Sequence, residues 1–201
     1  MELDAVLRER RSMRKYQPDR KVSREQVEEI LKAATLAPSW KNSQTARYYV
    51  VMSDDMLKKV KETCLPAFNQ TNSKDAPVLI VAAFVKNRSG YENDGTPSNE
   101  LGNGWGCYDL GMHNQNLLLK AKDLGLDTLV MGIRDAGKLR ELLSIGEDQD
   151  VAAVIALLYW FFGTELGASL RATGSNPNMS RAQGINTNFT KVLGLMLSNG
   201  L

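Results

Sequence analysis

Two nearly continuous apolar runs constrain the fold of this chain more than any other feature. The first, PVLIVAAFV, occupies residues 77–85, and the second, VAAVIALLY, occupies residues 151–159. A strand that is apolar at almost every position, rather than at alternate ones, is typical of a sheet covered on both faces. We therefore predict a central strand at 77–85 and a further strand at 151–159.

Segments with helical spacing alternate with the strands. Residues 23–26, SREQ, predict a capping box, which is followed by apolar residues at helical spacing up to a stop near Pro38. Asp54 is predicted to cap another helix, and Asp135 begins one more. Because helices and strands interleave, the fold class is α/β or α+β.

The longest predicted helix covers residues 105–124 and carries apolar residues around much of its circumference. A helix of this kind lies in the centre of a fold or at a subunit interface. The next segment, GLDTLVMG at 125–132, predicts a turn, a short strand and a glycine. Residues 87–104 are polar and rich in glycine and asparagine, and a loop of this length often shapes a binding site.

Composition and charge exclude several classes of protein. The chain has 201 residues and a net charge of +2, so we expect one principal domain and no nucleic-acid partner. Cys64 and Cys107 form no CxxC pair, which argues against a disulfide framework or a metal site. The longest apolar run, at 151–162, is shorter than the roughly 20 residues of a membrane span. We therefore expect a cytoplasmic protein with no membrane partner and no signal peptide.

A cationic cluster lies near the beginning of the chain. Residues 8–16, RERRSMRKY, contain five arginine or lysine side chains and one acid, Glu9. Arginine bonds phosphate oxygens in a bidentate manner, so the cluster suits one phosphate monoester. Two alternatives remain at this point. The cluster can be a solvated helix end, or it can bind nucleic acid, although no aromatic residues are interleaved with the charges.

Two further segments carry amides that are suited to a heterocycle. Asn42 and Gln44 follow a Pro-Ser turn just before a predicted strand at 48–52. Their amides offer both a donor and an acceptor, as the pyrimidine edge of a flavin requires, but such residues also occur in ordinary turns. Asn69 precedes the strand at 77–85, where it is either a loop cap or a ligand contact.

In combination, three motifs resemble the nitroreductase family of FMN-dependent NAD(P)H oxidoreductases. They are RRSMRKY, APSWKNSQ about 25 residues later, and WGCYDLGMHNQNLLLKAKDLGLDTLVMG, and the resemblance covers roughly residues 3–159. It implies an α+β fold, with a central mixed or antiparallel sheet flanked by helices. It also implies a homodimer with shared active sites and with the long apolar helix at the interface. In the domain assignment, residues 1–162 form the FMN-binding domain.

The resemblance also assigns site residues. The FMN phosphate and ribityl chain would be bound by Arg10, Arg11, Ser12 and Arg14, which leaves Arg8 and Lys15 as surface charge. The partner subunit's flavin would be contacted by Pro38, Ser39, Asn42 and Gln44. The flavin ring bound by the same subunit would be contacted by Asn69, Leu129, Val130, Met131 and Gly132.

The resemblance implies that the flavin carries the chemistry, so no catalytic side chain and no metal are predicted. NAD(P)H would be a transient co-substrate that passes a hydride through flavin N5 to a nitroaromatic or quinone acceptor. His113, the single histidine, is interpreted as a packing or interface residue. Two alternatives remain for the function. One is a specialised member of the fold (a dehalogenase, a flavin-fragmenting enzyme or an enoate-type reductase), and the other is a non-catalytic flavin-binding protein.

The family pattern ends after Tyr159. Residues 163–201 are rich in Gly, Ser, Thr and Asn, and we expect an atypical tail that is loop or partly disordered, with a possible helix at 189–197. One hypothesis for its origin is a changed reading frame or an added, non-native sequence. Arg171 and Arg181 are candidates for a late cation at the FMN phosphate.

Overall fold

The computed structural model describes residues 1–14, 20–159 and 165–199. The chain divides into two compact units, Met1–Leu158 and Tyr159–Leu201. The helices described in the first unit are α1 (Leu3–Glu9), α2 (Arg24–Thr35), α3 (Asp54–Cys64), α4 (Ala67–Ser73), α5 (Gly104–Asp123) and α6 (Ala136–Leu143). The strands described are β1 (Ala46–Val51), β2 (Val78–Val85), β3 (Asp127–Met131) and β4 (Gln149–Leu158).

The strands form one sheet in the order β1-β2-β4-β3, and every neighbouring pair is antiparallel. The two strands predicted from apolar runs, β2 and β4, occupy the centre, where Ile80 lies opposite Ile155. The α+β class is confirmed, and the sheet predicted as mixed or antiparallel is antiparallel throughout the described residues.

Both faces of β2 are covered by helices, which explains its apolar character. Leu79 and Val81 belong to the core formed with Leu57 and Val60 of α3 and with Leu139 of α6. Side chains at the alternate positions point to the opposite face, where α5 packs against the strand. A strand enclosed in this way has no solvent-facing position for a polar side chain, so the sequence reads as a continuous apolar run.

Local capping explains where two of the helices begin. The predicted capping box is confirmed in α2, because Ser23 Oγ accepts from the Gln26 amide at 3.2 Å and Gln26 Oε1 accepts from the Ser23 amide at 3.0 Å. Asp135 caps α6 by accepting from the Lys138 amide at 3.0 Å. The predicted cap at Asp54 is wrong by one residue, since Ser53 is the N-cap and Asp54 begins α3.

The second unit contains the helices α7 (Glu165–Ser175), α8 (Pro177–Ala182) and α9 (Thr187–Asn199). The segment was expected to be mostly loop, with a possible helix at 189–197, whereas the structure has three helices in its described residues. Asn176 caps α8 by accepting from the Met179 amide, and Asn186 accepts from the Phe189 amide. Composition alone does not distinguish these caps from loop residues, because asparagine is common in both. The predicted boundary at 162/163 lies outside the described residues.

Membrane spans and metal clusters were also sought in the described part of the chain. No helix there has the length and apolar character needed to cross a bilayer. The same residues contain no group of three or more His, Cys, Asp or Glu side chains placed to hold a metal ion.

The contact between α5 and β2 yields a stability prediction at Gly106. A Cβ atom at this position would lie 2.7 Å from Phe84 Cε2, inside the packed core. Gly106→Ala should therefore lower the free energy of unfolding by about 1–3 kcal/mol, measured by denaturant titration. The control is Gly137→Ala in α6, where the nearest atom would be Asp135 Oδ1 at 3.5 Å. Equal stability of the two variants would contradict the tight contact.

Candidate functional site

The N-terminal cationic cluster lies alongside the beginning of β3. Ser12 forms a parallel bridge with Thr128, and the Met13 amide donates to the Thr128 carbonyl at 3.1 Å. These backbone contacts place residues 10–14 beside an edge strand of the sheet. The side chain of Arg10 is half-buried, whereas those of Arg11 and Arg14 are exposed.

The guanidinium groups of this cluster are accessible to an anionic ligand. Among the described residues, no carboxylate forms an ion pair with Arg10, Arg11 or Arg14. Arg11 Nη1 donates to the neighbouring carbonyl of Arg10 at 2.8 Å. Lys15 lies outside the described residues. The cluster therefore retains positive charge of the kind that a phosphate group would neutralise.

A buried carboxylate close to the cluster is already paired. Asp127, at the start of β3, is 5% exposed and lies 3.3 Å from Lys122 Nζ. Burial raises the pKa of Asp127, while the Lys122 ammonium opposes that shift. The partner of the Asp127 carboxylate is therefore Lys122, and no ion pair joins Asp127 to Arg10, Arg11 or Arg14 among the described residues.

Farther along β3, strand alternation separates the predicted flavin contacts into two groups. Val130 is 43% exposed, and a Cβ atom added at Gly132 would meet nothing within 4 Å. Leu129 and Met131 point into the hydrophobic core instead. The open surface is therefore formed by Val130 and Gly132, and Leu129 and Met131 can offer a ligand only their backbone groups.

Asn69 lies on α4 and not in the loop that the sequence suggested. Its side chain is 5% exposed, and Nδ2 donates to the Ile133 carbonyl at 2.9 Å, just beyond β3. An open groove of about 520 Å³, lined by residues 63–66 and 133–136, lies at this end of the strand. The short helix escaped prediction because its N-cap makes no side-chain hydrogen bond and its Asn, Thr and Ser residues favour turns.

The segment with Pro38 and Ser39 forms a tight turn between α2 and β1. A single 3₁₀ turn, Trp40–Asn42, follows Ser39, and the φ angles are +46° at Lys41, +55° at Asn42 and +49° at Gln44. Ser39 Oγ accepts from the Gln44 amide at 3.0 Å, and Gln44 Nε2 donates to Asn42 Oδ1 at 3.2 Å. Left-handed backbone at non-glycine residues is costly, and it clusters at functional sites.

Asp109 of α5 anchors this turn to the rest of the molecule. Its carboxylate is 2% exposed, and Oδ2 accepts from the Trp40 amide at 2.9 Å and from the Ser89 hydroxyl at 2.5 Å. The backbone carbonyl of Asp109 accepts from His113 Nδ1 at 2.8 Å, and His113 is buried. One side chain thus connects the turn, α5 and the 87–103 loop.

The 87–103 loop makes further contacts with the same turn. Glu92 accepts from Lys41 Nζ at 3.0 Å and from the Ser98 hydroxyl at 2.6 Å, and these hydrogen bonds lower the pKa of Glu92. The rings of Trp40 and Trp105 lie 4.5 Å apart at an angle of 48°. The loop and the turn therefore form one connected surface.

Two buried polar atoms in the turn have no hydrogen-bond partner among the described residues. They are Trp40 Nε1 and Ser43 Oγ. Buried polar groups are normally paired, so these two atoms leave hydrogen-bonding capacity in the turn unused. At the cationic cluster beside β3, the accessible guanidiniums fit the phosphate group of FMN.

The turn and the cationic cluster do not lie together within one protomer. The turn leads into β1, whereas the cluster flanks β3, and these strands form opposite edges of the sheet. Three strand spacings of about 4.8 Å separate the two edges by roughly 14 Å. The structure therefore brings residues 10–14, Asn69 and β3 together and leaves residues 38–44 at the other edge.

Comparison with known proteins places the first unit in a family. Residues 7–158 match the model of the nitroreductase family. A protein of Archaeoglobus fulgidus named as an NADH dehydrogenase/NAD(P)H nitroreductase is 36% identical over 154 residues, which cover 75% of this chain and 80% of that protein. The chain belongs to the nitroreductase family. Membership confirms the prediction of an NAD(P)H-dependent oxidoreductase.

Two solved structures show the same fold at low identity. A nitroreductase from Exiguobacterium sibiricum in complex with FMN has a TM-score of 0.71 and 21% identity, covering 82% of this chain and 90% of that chain. CLA-ER, an enone reductase of gut-bacterial fatty acid saturation, has a TM-score of 0.70 and 18% identity, covering 80% and 89%.

The tail has a separate similarity. Residues 150–201 match a family model described as a branched-chain amino acid transport system permease component. The tail thus resembles a different family from the rest of the chain, and its origin stays a prediction. Neither proposed late cation gains support from the structure. Arg181 donates to Thr187 Oγ1 at 3.1 Å within the second unit, and the side chain of Arg171 lies outside the described residues.

The residues that hold the turn in place were not predicted from the sequence. Asp109 is an acid within an otherwise largely apolar helix, four residues after Trp105 and four before His113. That spacing places all three on one side of α5, which was a visible signal. The acceptor role of Asp109 depends on Trp40 and Ser89, which are distant in sequence, so the pattern alone did not identify the partners.

Proposed function

We propose that this protein is an FMN-dependent oxidoreductase that transfers a hydride from NAD(P)H to an electron-poor acceptor of the nitroaromatic or quinone class. The observation that carries the proposal is the pairing of Ser12 with Thr128. It places the arginine cluster at one end of β3, while Asn69 is bonded at the other end, beside Ile133. Five residues of strand span about 17 Å, so the arrangement suits an elongated ligand with an anionic end and a hydrogen-bonding end.

In this proposal, the chain's own residues bind and orient the cofactor. Arg10, Arg11 and Arg14 hold the phosphate, with the Ser12 hydroxyl as a further donor. Val130 and Gly132 provide the open surface on which a planar ring would lie, and Asn69 fixes the end of that surface through Ile133. When bound, FMN supplies the chemistry, by accepting a hydride at N5 from NAD(P)H and passing it to the acceptor.

We further propose that the active site is shared between two subunits. Residues 38–44 lie at the sheet edge opposite the cationic cluster, so they are better placed to reach a site on a second copy than the site of their own protomer. The unpartnered Trp40 Nε1 and Ser43 Oγ support this arrangement, since a partner or its ligand would satisfy them. The 87–103 loop, which is tied to the same turn, would then shape the acceptor pocket.

The purified protein should show the absorbance bands of oxidised flavin, either as isolated or after addition of FMN. It should then oxidise NADH or NADPH rapidly when a quinone or a nitroaromatic compound is present, because both half-reactions would use the same open face. Measurements of absorbance and of nucleotide consumption test these two points separately. Failure to bind FMN would overturn the cofactor assignment. Flavin binding without turnover of any acceptor would identify a non-catalytic flavoprotein instead.

A further inference from the structure

The second unit has its polar and apolar side chains in an inverted arrangement. Its described buried residues include four hydroxyl side chains, and these are Thr173, Ser180, Thr187 and Thr190. Its exposed residues include five large apolar side chains, and these are Met179, Phe189, Val192, Leu195 and Met196. Soluble domains usually bury the apolar set and expose the polar one.

The buried hydroxyls are hydrogen-bonded, so their burial is not a packing defect. Thr190 Oγ1 donates to Thr173 Oγ1 at 2.9 Å and thereby joins α9 to α7. Ser180 Oγ donates to the Asn176 carbonyl at 3.0 Å. Gly194 of α9 lies against Leu170 of α7, where a Cβ atom would make an ordinary van der Waals contact at 3.6 Å from Leu170 Cδ2. Small residues and hydroxyl bonds between helices are typical of proteins whose outer surface faces lipid.

The exposed apolar side chains form one stripe on α9. At 100° per residue, Phe189, Val192, Leu195 and Met196 fall within an arc of about 120°. They are 54%, 57%, 63% and 67% exposed, respectively. A contiguous apolar stripe with this degree of exposure indicates a surface that binds a partner.

Charge indicates which surface covers the stripe. Residues 159–201 contain three cations, Arg171, Arg181 and Lys191, against one acid, Glu165. Viewed down the axis of α9, Lys191 lies about 40° beyond Leu195, at the edge of the stripe. A helix with an apolar stripe and a cation at its edge, in a segment of net positive charge, is suited to the interface of a bilayer that contains anionic lipid. The match of this segment to a permease component points to the same environment.

We propose that the apolar stripe of α9 docks on an anionic lipid bilayer and holds the nitroreductase unit at a membrane surface. The sequence predicted no membrane partner because no segment is long enough to cross a bilayer. Docking at the interface needs no crossing, so it is compatible with the absence of a span among the described residues. The proposal does not depend on flavin chemistry.

Flotation of the full chain with lipid vesicles tests the proposal. The chain should float with vesicles of phosphatidylcholine and phosphatidylglycerol in equal parts, and less with phosphatidylcholine alone. Val192→Glu should weaken the binding at least about tenfold, because it places a charge in the stripe. Lys191→Ala should weaken binding to the anionic vesicles by about fivefold. Leu101→Glu is the matched control, because this residue of the first unit is 54% exposed and lies outside the stripe.

Circular dichroism of each variant checks that the helices are intact, and the protein itself is quantified rather than its flavin. A chain that floats with neither vesicle type overturns the proposal, and so does a Val192→Glu variant that floats like the wild type. If the chain stays unbound and Val192→Glu lowers its oligomeric mass, a second copy covers the stripe and lipid docking is wrong.

Discussion

Replacing Arg10 or Arg14 with alanine is expected to weaken FMN binding by about tenfold to a hundredfold. Each change removes one charge-assisted contact to the phosphate, which contributes roughly 1.5–3 kcal/mol. The backbone should be unaffected, because Ser12 and Met13 hold the segment against Thr128 through main-chain contacts. Titration of the unliganded protein with FMN, followed by quenching of flavin fluorescence, measures the change.

Arg8→Ala is the control for this experiment. Arg8 is an exposed cation in the last turn of α1, so its removal changes the net charge equally without touching the segment paired with Thr128. A general electrostatic effect would weaken FMN binding by all three variants alike. Raising the salt concentration would then abolish the difference in affinity between the variants and the wild type. If Arg10→Ala and Arg14→Ala bind FMN as tightly as Arg8→Ala does, the phosphate lies elsewhere.

The central sheet was predictable because its signal is local. An apolar run without alternation identifies a strand buried on both faces, as β2 illustrates, and a capping box marks the start of α2 through two hydrogen bonds within four residues. Elements without such signals were missed or misjudged. Helix α4 has no side-chain hydrogen bond at its N-cap, and the caps of the second unit are asparagines within a loop-like composition.

The sequence offered candidate site residues, but it could not predict how they are arranged. Resemblance selected residues 10–14 and Asn69, yet the bridge from Ser12 to Thr128 joins positions that are far apart in sequence. No periodicity encodes such a pairing. The opposite placement of residues 38–44 follows from the strand order, which the sequence did not predict. By contrast, the burial of Leu129 and Met131 follows from simple alternation along β3.

The turn at 38–44 connects stability with function, since its left-handed residues need an external anchor. Lys41 pairs with Glu92 near the surface, where an ion pair contributes little. Asp109 accepts two hydrogen bonds inside the protein, where a lost partner is costly. Asp109 is therefore the stronger constraint on the turn, and we interpret it as a positioning residue.

Asp109→Leu is expected to destabilise the fold by about 2–4 kcal/mol, because the Trp40 amide and the Ser89 hydroxyl lose their acceptor in a buried setting. The released turn should also lower the turnover of the acceptor at least tenfold, because a misplaced site residue costs that much. Asp109→Asn retains one acceptor oxygen and should fall between the wild type and the leucine variant. Denaturant titration, near-ultraviolet circular dichroism of the Trp40–Trp105 pair and steady-state kinetics measure these effects.

The matched control is Asp123→Asn, on the same helix, whose carboxylate pairs near the surface with Lys120 at 3.0 Å and with the N-terminal ammonium of Met1. This change should leave both stability and turnover close to the wild type, since exposed ion pairs contribute little. A purely structural role for Asp109 would lower stability but leave the turnover of the folded fraction and the tryptophan signal unchanged. That outcome would contradict its role in positioning the turn, whereas a joint loss of the signal and of turnover would link α5 to the active site through Trp40.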